Sequence, residues 1–361
     1  MRVTIIGPVH PFKGGIAQHT AVMANELTDR GHRVRVENWK RQYPQRLYPG
    51  QLTVTDEEVP LRAETVRRLS WNRPDSWLRV GRAIRNEDLV VIAYVNPIQV
   101  PPYRSLLAGL HGGSAGRVVV AHNVLPHERS RIDGMLVKSL LSNVDRVVTH
   151  SQAQADLARR ITSTEVLTSP IAPFLPPGFV QSNPAPGEHR RLLFFGLVRP
   201  YKGLDLLIRA LADGPADVRL RVVGEFWGGT RSTETLIAEL GLTERVELTP
   251  RYAAAAEVPA LFTDVDALVV PYREATGSQA VWTGFQFGVP VIATDTGRLA
   301  ADIVSGYNGM VAAPGDVHSL AAAINEFYRP GRGEQMRANV RPVDPAPYWD
   351  DYVAALTGDR P

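Results

Sequence analysis

Short runs of Val, Ile and Leu alternate with amphipathic segments along most of this chain, and a proline-rich stretch splits the alternation into two series. This rhythm constrains the fold more than any other feature. Continuous β-branched runs bury both faces of a strand, and helical spacers between them supply the cover. The pattern therefore predicts parallel sheets wrapped by helices. In the first series strands are expected at 2–9, 33–39, 89–95, 117–122 and 144–150. Helices are expected at 16–30, 76–85, 103–111, 132–142 and 152–161, with Gly31 stopping the first of them. In the second series strands are expected at 191–198, 218–224, 246–249, 267–271 and 289–294. Its helices are expected at 204–212, 233–240, 257–262, 279–287, 299–304 and 317–328. Six prolines between 170 and 187 mark a linker. The expected fold class is α/β: two doubly wound Rossmann-like domains at 1–175 and 189–345, facing across a cleft and joined by a linker at 176–188. The tail at 346–361, with a short helix near 348–356, is expected to cross back to the first domain.

At 361 residues the chain exceeds one ordinary core, which agrees with two domains. It has no cysteine, so disulfide and thiolate chemistry are excluded. No apolar run is long enough for a membrane span, and the run at 1–8 is too short for a secretion signal. A cytoplasmic location is the expectation. The net charge of +3 is unevenly spread: residues 1–180 carry 23 Lys and Arg against 15 Asp and Glu, and residues 181–361 carry 17 against 22. Arg67, Arg68, Arg73, Arg79, Arg82 and Arg85 form a basic cluster. It reads either as a solvated helix face or as a dock for the anionic lipid headgroups of a membrane surface. No nucleic-acid-binding motif accompanies the charge.

The stretch 191–203 reads as a strand ending at Gly196, a turn holding Arg199 and Lys202, and a helix starting after Gly203. Such a unit seats a phosphorylated ligand in α/β proteins. Gly14 and Gly15 precede the first long helix, where glycine lets the backbone approach a ligand closely. Neither a Gly-x-Gly-x-x-Gly nor a Gly-x-x-x-x-Gly-Lys fingerprint is present. His122 closes a buried strand, at the end where α/β proteins place ligand-binding residues. His10, His19 and His127 are weaker acceptor-side candidates, and the nine histidines lack zinc-ligand spacing.

Three segments together resemble the retaining glycosyltransferases of the GT-B type, family 4. They are the loop 7–17 with its Gly14-Gly15 pair, the turn 195–203, and the segment 271–297 from Pro271 through Glu274 and Thr283 to Gly288 and Gly297. The resemblance implies transfer of a sugar from a nucleoside-diphosphate sugar to an acceptor hydroxyl on a glycan, a lipid-linked molecule or a small glycoside. It implies no cofactor and no metal. Arg199 and Lys202 would neutralise the diphosphate leaving group, and His122 and Glu274 would orient the donor sugar. Gly14, Gly15, Gly196, Gly277, Ser278 and Gln279 would offer backbone to the donor, and Glu225 and Arg251 would frame its nucleotide. The family carries two glutamates separated by seven residues. Here the second place falls on the uncharged Thr283, and Glu274 stands one residue before the first. The family's arginine after the glycine is replaced by Leu197, so Arg199 is expected to substitute. Asp264-Val-Asp266 resembles the metal motif of another glycosyltransferase fold but is expected to be a cap and turn. The rivals are a UDP-sugar epimerase of the same fold and a non-catalytic nucleotide-sugar-binding partner subunit.

Overall fold

The computed structural model describes residues 1–42, 52–125, 131–174, 190–275 and 279–358. The chain divides into two compact units, Met1–Phe174 with Pro345–Pro361, and Leu175–Asp344.

In the first unit the elements run β1 (Arg2–Ile6), α1 (Gly15–Asp29), β2 (Arg33–Arg41), β3 (Glu64–Ser70), α2 (Pro74–Ile84) and β4 (Leu89–Tyr94). They continue with α3 (Val100–Leu110), β5 (Gly116–Ala121), α4 (Arg131–Leu141), β6 (Arg146–Thr149), α5 (Gln152–Arg159) and β7 (Glu165–Thr168). Among the described residues the strands form one parallel sheet in the order β3-β2-β1-β4-β5-β6-β7. Every residue of β4 is buried, as a central strand covered on both faces requires. Alternate residues face opposite cores: Val119 and Ala121 of β5 join one, Val118 and Val120 the other. The first core takes α2, α3, α4 and α5, and the second takes α1.

The second unit runs β8 (Arg191–Phe195), α6 (Leu204–Ala212), β9 (Arg219–Val223), α7 (Arg231–Glu239), β10 (Val246–Thr249), α8 (Val258–Leu261) and β11 (Ala267–Val270). It continues with α9 (Ala280–Gln286), β12 (Val291–Thr294), β13 (Gly309–Ala312), α10 (Val317–Phe327) and α11 (Arg332–Asn339). Its parallel sheet has the order β10-β9-β8-β11-β12-β13. In each sheet the order reverses beside the first strand, between β1 and β4 and between β8 and β11. A crevice at the carboxyl ends opens at such switch points.

The last helix, α12 (Ala346–Thr357), packs in the first unit. Trp349, Tyr352, Val353 and Leu356 recur at helical spacing and are all buried in the core that holds Val3, Ile5 and Leu27. The Trp349 indole donates to the Pro173 carbonyl (3.0 Å), and Arg30 pairs with Asp350 (2.5 Å).

Two expectations fail. Residues 299–304 form no helix. Their amides bond three residues back, Ala301 to Arg298 and Ile303 to Ala300, and Asn308 Oδ1 takes the Val304 amide. The result is a chain of tight turns. The arginine cluster is also no single helix face. Arg67 and Arg68 lie on the edge strand β3, where Arg68 pairs with the buried Glu37 of β2. Arg79 and Arg82 lie on α2, and Arg73 and Arg85 flank it.

Candidate functional site

In the second unit the candidate residues gather where β8, β9 and β11 end. The backbone of the turn after β8 is pressed against both neighbours. The Gly196 amide donates to Val223 O (2.9 Å), and a Cβ on Gly224 would lie 1.8 Å from Gly196 O. Gly203 has φ +67°, and a Cβ there would lie 2.1 Å from Pro271 O. Only glycine fits at these two contacts. Residues Pro200–Lys202 make a single 3₁₀ turn that delivers Gly203 to the start of α6.

Lys202 lies over this turn. Its Nζ is 5.0 Å from the Tyr272 ring centroid and would be 3.6 Å from a Cβ on Gly196. Burial works against the Lys202 charge, yet the Tyr272 and Tyr201 phenols hold its pKa above the ordinary lysine value. The ammonium is therefore a fixed positive charge at neutral pH. The Arg199 guanidinium stacks on Trp227, with Cζ 3.4 Å from the ring centroid. Backbone bonds from Val198 N to Glu225 O (2.9 Å) and from Trp227 N to Val198 O (3.4 Å) bring that ring and Glu225 beside the turn.

Glu274 is exposed in the loop after β11. Arg273 fastens that loop to the turn. Its amide donates to Tyr201 O (2.7 Å), and its guanidinium donates to Pro200 O (2.8 Å) and makes a bidentate pair with Asp205 (2.8 and 2.6 Å). Gln279 caps α9, and the Thr283 hydroxyl donates to Gln279 O (2.8 Å) within that helix. Gly277 and Ser278 lie outside the described residues, as does His127 of the first unit. Arg251, after β10, is bound bidentately to Glu257 (2.9 and 2.7 Å), and this pair holds the Glu257 carboxyl down at about 2. The structure thus gathers Gly196, Arg199, Lys202 and Glu225 in one place, with Glu274 on the adjoining loop. The Arg251 side chain instead spans to the start of α8. Asp264 pairs with Arg191 and Arg221, and Asp266 accepts from the Arg191 amide (2.7 Å) and the Tyr328 hydroxyl (3.0 Å). Both aspartates serve strand-end pairing.

In the first unit Gly14 caps α1 at φ +98°, and a Cβ on Gly14 or Gly15 would meet open space. Buried Asn38 fastens the loop before it, taking the Val9 amide (3.4 Å) and donating to the Val9 and His10 carbonyls (3.2 and 3.0 Å). His122 follows β5, and its amide donates to Tyr94 O (3.0 Å). Its ring is buried in a histidine trio. His122 Nδ1 is 3.2 Å from His150 Nε2, and His150 Nδ1 is 3.2 Å from Ser169 O. His19 of α1 sits edge-on to His122, ring centroids 5.2 Å apart, and stacks on Trp349 of α12 at 5.6 Å. Burial lowers all three histidines, His19 and His122 well below the usual imidazole range and His150 to about 4. All three are neutral at pH 7. His122 Nε2 is covered and has no hydrogen-bond partner.

Sequence reasoning missed His150, Trp227, Tyr201, Tyr272 and Arg273. His150 carried the same signal as His122, a histidine at the end of a buried strand. Tyr272 and Arg273 lay inside the segment already singled out at 271–297. Trp227 had no signal of its own.

Family models match both series. The model of glycosyltransferase family 4 matches residues 13–166, and that of glycosyl transferases group 1 matches residues 189–329. The D-inositol 3-phosphate glycosyltransferase of Mycobacterium marinum is 33% identical over 153 residues, 41% of this chain and 32% of that protein. The match thus spans about a third of that relative's length. Among solved structures, sucrose-phosphate synthase from Thermosynechococcus elongatus superposes with TM-score 0.72 at 17% identity, covering 98% of each chain. Anabaena HepE in complex with UDP and glucose superposes with TM-score 0.73 at 16% identity, covering 99% of this chain and 100% of that one. Two parallel-sheet units and two family models spanning well over half the sequence lead to one assignment: the chain belongs to glycosyltransferase family 4, with the GT-B fold.

Proposed function

We propose that this protein is a retaining, metal-independent glycosyltransferase that moves a sugar from a nucleoside-diphosphate sugar to an acceptor hydroxyl. The observation that carries the reading is the turn after β8, where the fixed Lys202 ammonium and the stacked Arg199 guanidinium stand together over closely packed backbone. Breaking the anomeric C–O bond leaves negative charge on the β-phosphate. Two preorganised cations stabilise that charge without reorganisation, the service a divalent metal would otherwise perform. The departing phosphate takes the acceptor proton as the new glycosidic bond forms on the same face of the sugar, so the donor's anomeric configuration is kept. In this reading Glu274 and His122 hold sugar hydroxyls, and Gly14 and Gly15 offer backbone to the ligand. Glu225, Gln279 and Thr283 line the nucleotide side.

The complex of HepE with UDP and glucose makes UDP-hexoses the first donors to try. The name of the mycobacterial relative puts a polyol phosphate on the acceptor panel. The test pairs binding with turnover. A thermal-shift panel of nucleoside diphosphates should give stabilisation with one nucleotide family, unchanged by chelator. Lys202→Ala should keep the fold and lose transfer by at least about 100-fold. The product should keep the donor's anomeric configuration by NMR. Full turnover in Lys202→Ala would remove the phosphate clamp, and a chelator-sensitive shift would remove metal independence.

A further inference from the structure

The hydrogen-bond chain that ends at His122 has only one consistent placement of protons. Its fixed end is the carbonyl of Ser169, which can only accept. His150 Nδ1 lies 3.2 Å from that oxygen, so Nδ1 must carry the proton; a bare nitrogen there would set lone pair against lone pair. Neutral His150 then has a bare Nε2. That atom lies 3.2 Å from His122 Nδ1, which must in turn be protonated to donate to it. Neutral His122 is left with a bare Nε2.

We infer that His150 is a positioning residue for His122: with the Ser169 carbonyl it fixes His122 in the Nδ1–H tautomer and leaves Nε2 as a hydrogen-bond acceptor only. Backbone geometry at the end of β7 thus decides what His122 offers, two hydrogen bonds away. The neutrality this requires agrees with the buried surroundings of both rings. The packing also fixes the ring planes. His19 lies edge-on beside His122, and Tyr352 of α12 stacks on His150 with centroids 5.9 Å apart. His122 Nε2 is covered and unpartnered, so it is the open end of this Ser169–His150–His122 relay. A sugar hydroxyl, which can donate, fits it; a carbonyl or carboxylate oxygen does not. This last step rests on the proposed role of His122 at the transferred sugar, and contact requires the covering side chains to shift.

The experiment separates the relay from that role. Histidine is labelled with ¹⁵N in the full-length protein, and the His122 signals are identified by their loss in His122→Asn. Two-bond ¹H–¹⁵N spectra at pH 7.5 then report the tautomer directly. His122 and His150 should both be protonated on Nδ1. In His150→Phe, His122 should relax toward the Nε2–H form. In His150→Gln, whose amide oxygen can accept from His122, the Nδ1–H form should persist. Nε2–H on His122 in the wild-type protein overturns the inference whether or not either variant folds. An unchanged tautomer in a folded His150→Phe also overturns it. In transfer assays His150→Phe should lower kcat by roughly 10- to 100-fold with little change in KM, and His150→Gln should recover much of the loss. A tautomer that shifts as expected with kcat unchanged supports the relay and refutes the role of His122 at the sugar.

Discussion

At the scale of single residues, the turn after β8 works because backbone meets backbone. Gly224 has the tightest contact: a methyl group there would lie 1.8 Å from Gly196 O and 2.8 Å from its carbonyl carbon. No flexible side chain can yield, so the strands or the turn must separate. Gly224→Ala should therefore cost about 2–3 kcal/mol, as overpacking of a tight contact does, read as a lower urea midpoint with an unchanged slope. It should also weaken nucleoside-diphosphate binding, because the displaced Gly196 lies directly beneath Lys202. A wild-type midpoint in Gly224→Ala would mean that the ends of β8 and β9 are looser than this packing. Neighbouring Arg199 shows a different economy. Its guanidinium lies over the Trp227 ring, a contact that keeps its charge and limits its motion.

At the scale of elements, the docking of α12 is decided by one stripe of side chains. Trp349 is 1% exposed, packs on His19 and Tyr352, and has its indole N–H on the Pro173 carbonyl. Trp349→Ala should destabilise the first unit by about 3–5 kcal/mol. Asp350 is one residue away but faces solvent, and its pair with Arg30 is largely exposed on the carboxylate side. Asp350→Ala should change stability by less than about 1 kcal/mol. Equal losses in the two variants, measured in parallel urea melts, would contradict the stripe. The same contrast explains what was legible in the sequence. Central strands such as β4 and β11 are unbroken apolar runs, β5 has four apolar residues in a row after Arg117, and helices such as α6 and α10 repeat apolar residues at helical spacing, so both announce themselves. The edge strand β3 buries only its last two residues and carries two arginines, and β7 buries only Val166. Such strands are made by pairing with a neighbour, which no local pattern encodes. At the candidate site the glycines, Arg199 and Lys202 stood in a readable strand–turn–helix order. Trp227, Arg273 and His150 matter through partners distant in sequence, and only the folded chain reveals those partners.

At the scale of the whole molecule, the two units should answer differently to acid. The three buried histidines all belong to the first unit, and burial holds each below its unfolded value. The unfolded chain binds protons on them as the pH falls through about 6.5, while the folded unit does not. Stability is therefore complete above the unfolded value and declines as the pH drops. His150 ceases to contribute further loss below about 4, where it titrates in the folded state as well. Where all three titrate in the unfolded chain alone, the slope approaches about 4 kcal/mol per pH unit, at 1.36 kcal/mol for each proton. In the second unit the carboxylates held low include Asp205 by Arg273, Asp217 by Arg190, Asp264 by Arg221 and Glu257 by Arg251, and their contribution is lost only at more acidic pH. Scanning calorimetry from pH 7.5 to 5 should accordingly show one transition that falls steeply and another that scarcely moves. Trp349→Ala should lower only the steep transition, which identifies it as the first unit. His19→Leu should flatten its pH dependence by up to one proton. A transition of the first unit that holds its temperature from pH 7.5 to 5 would mean that the trio takes up protons while folded. The neutral His122 required by the tautomer relay would then fail with it.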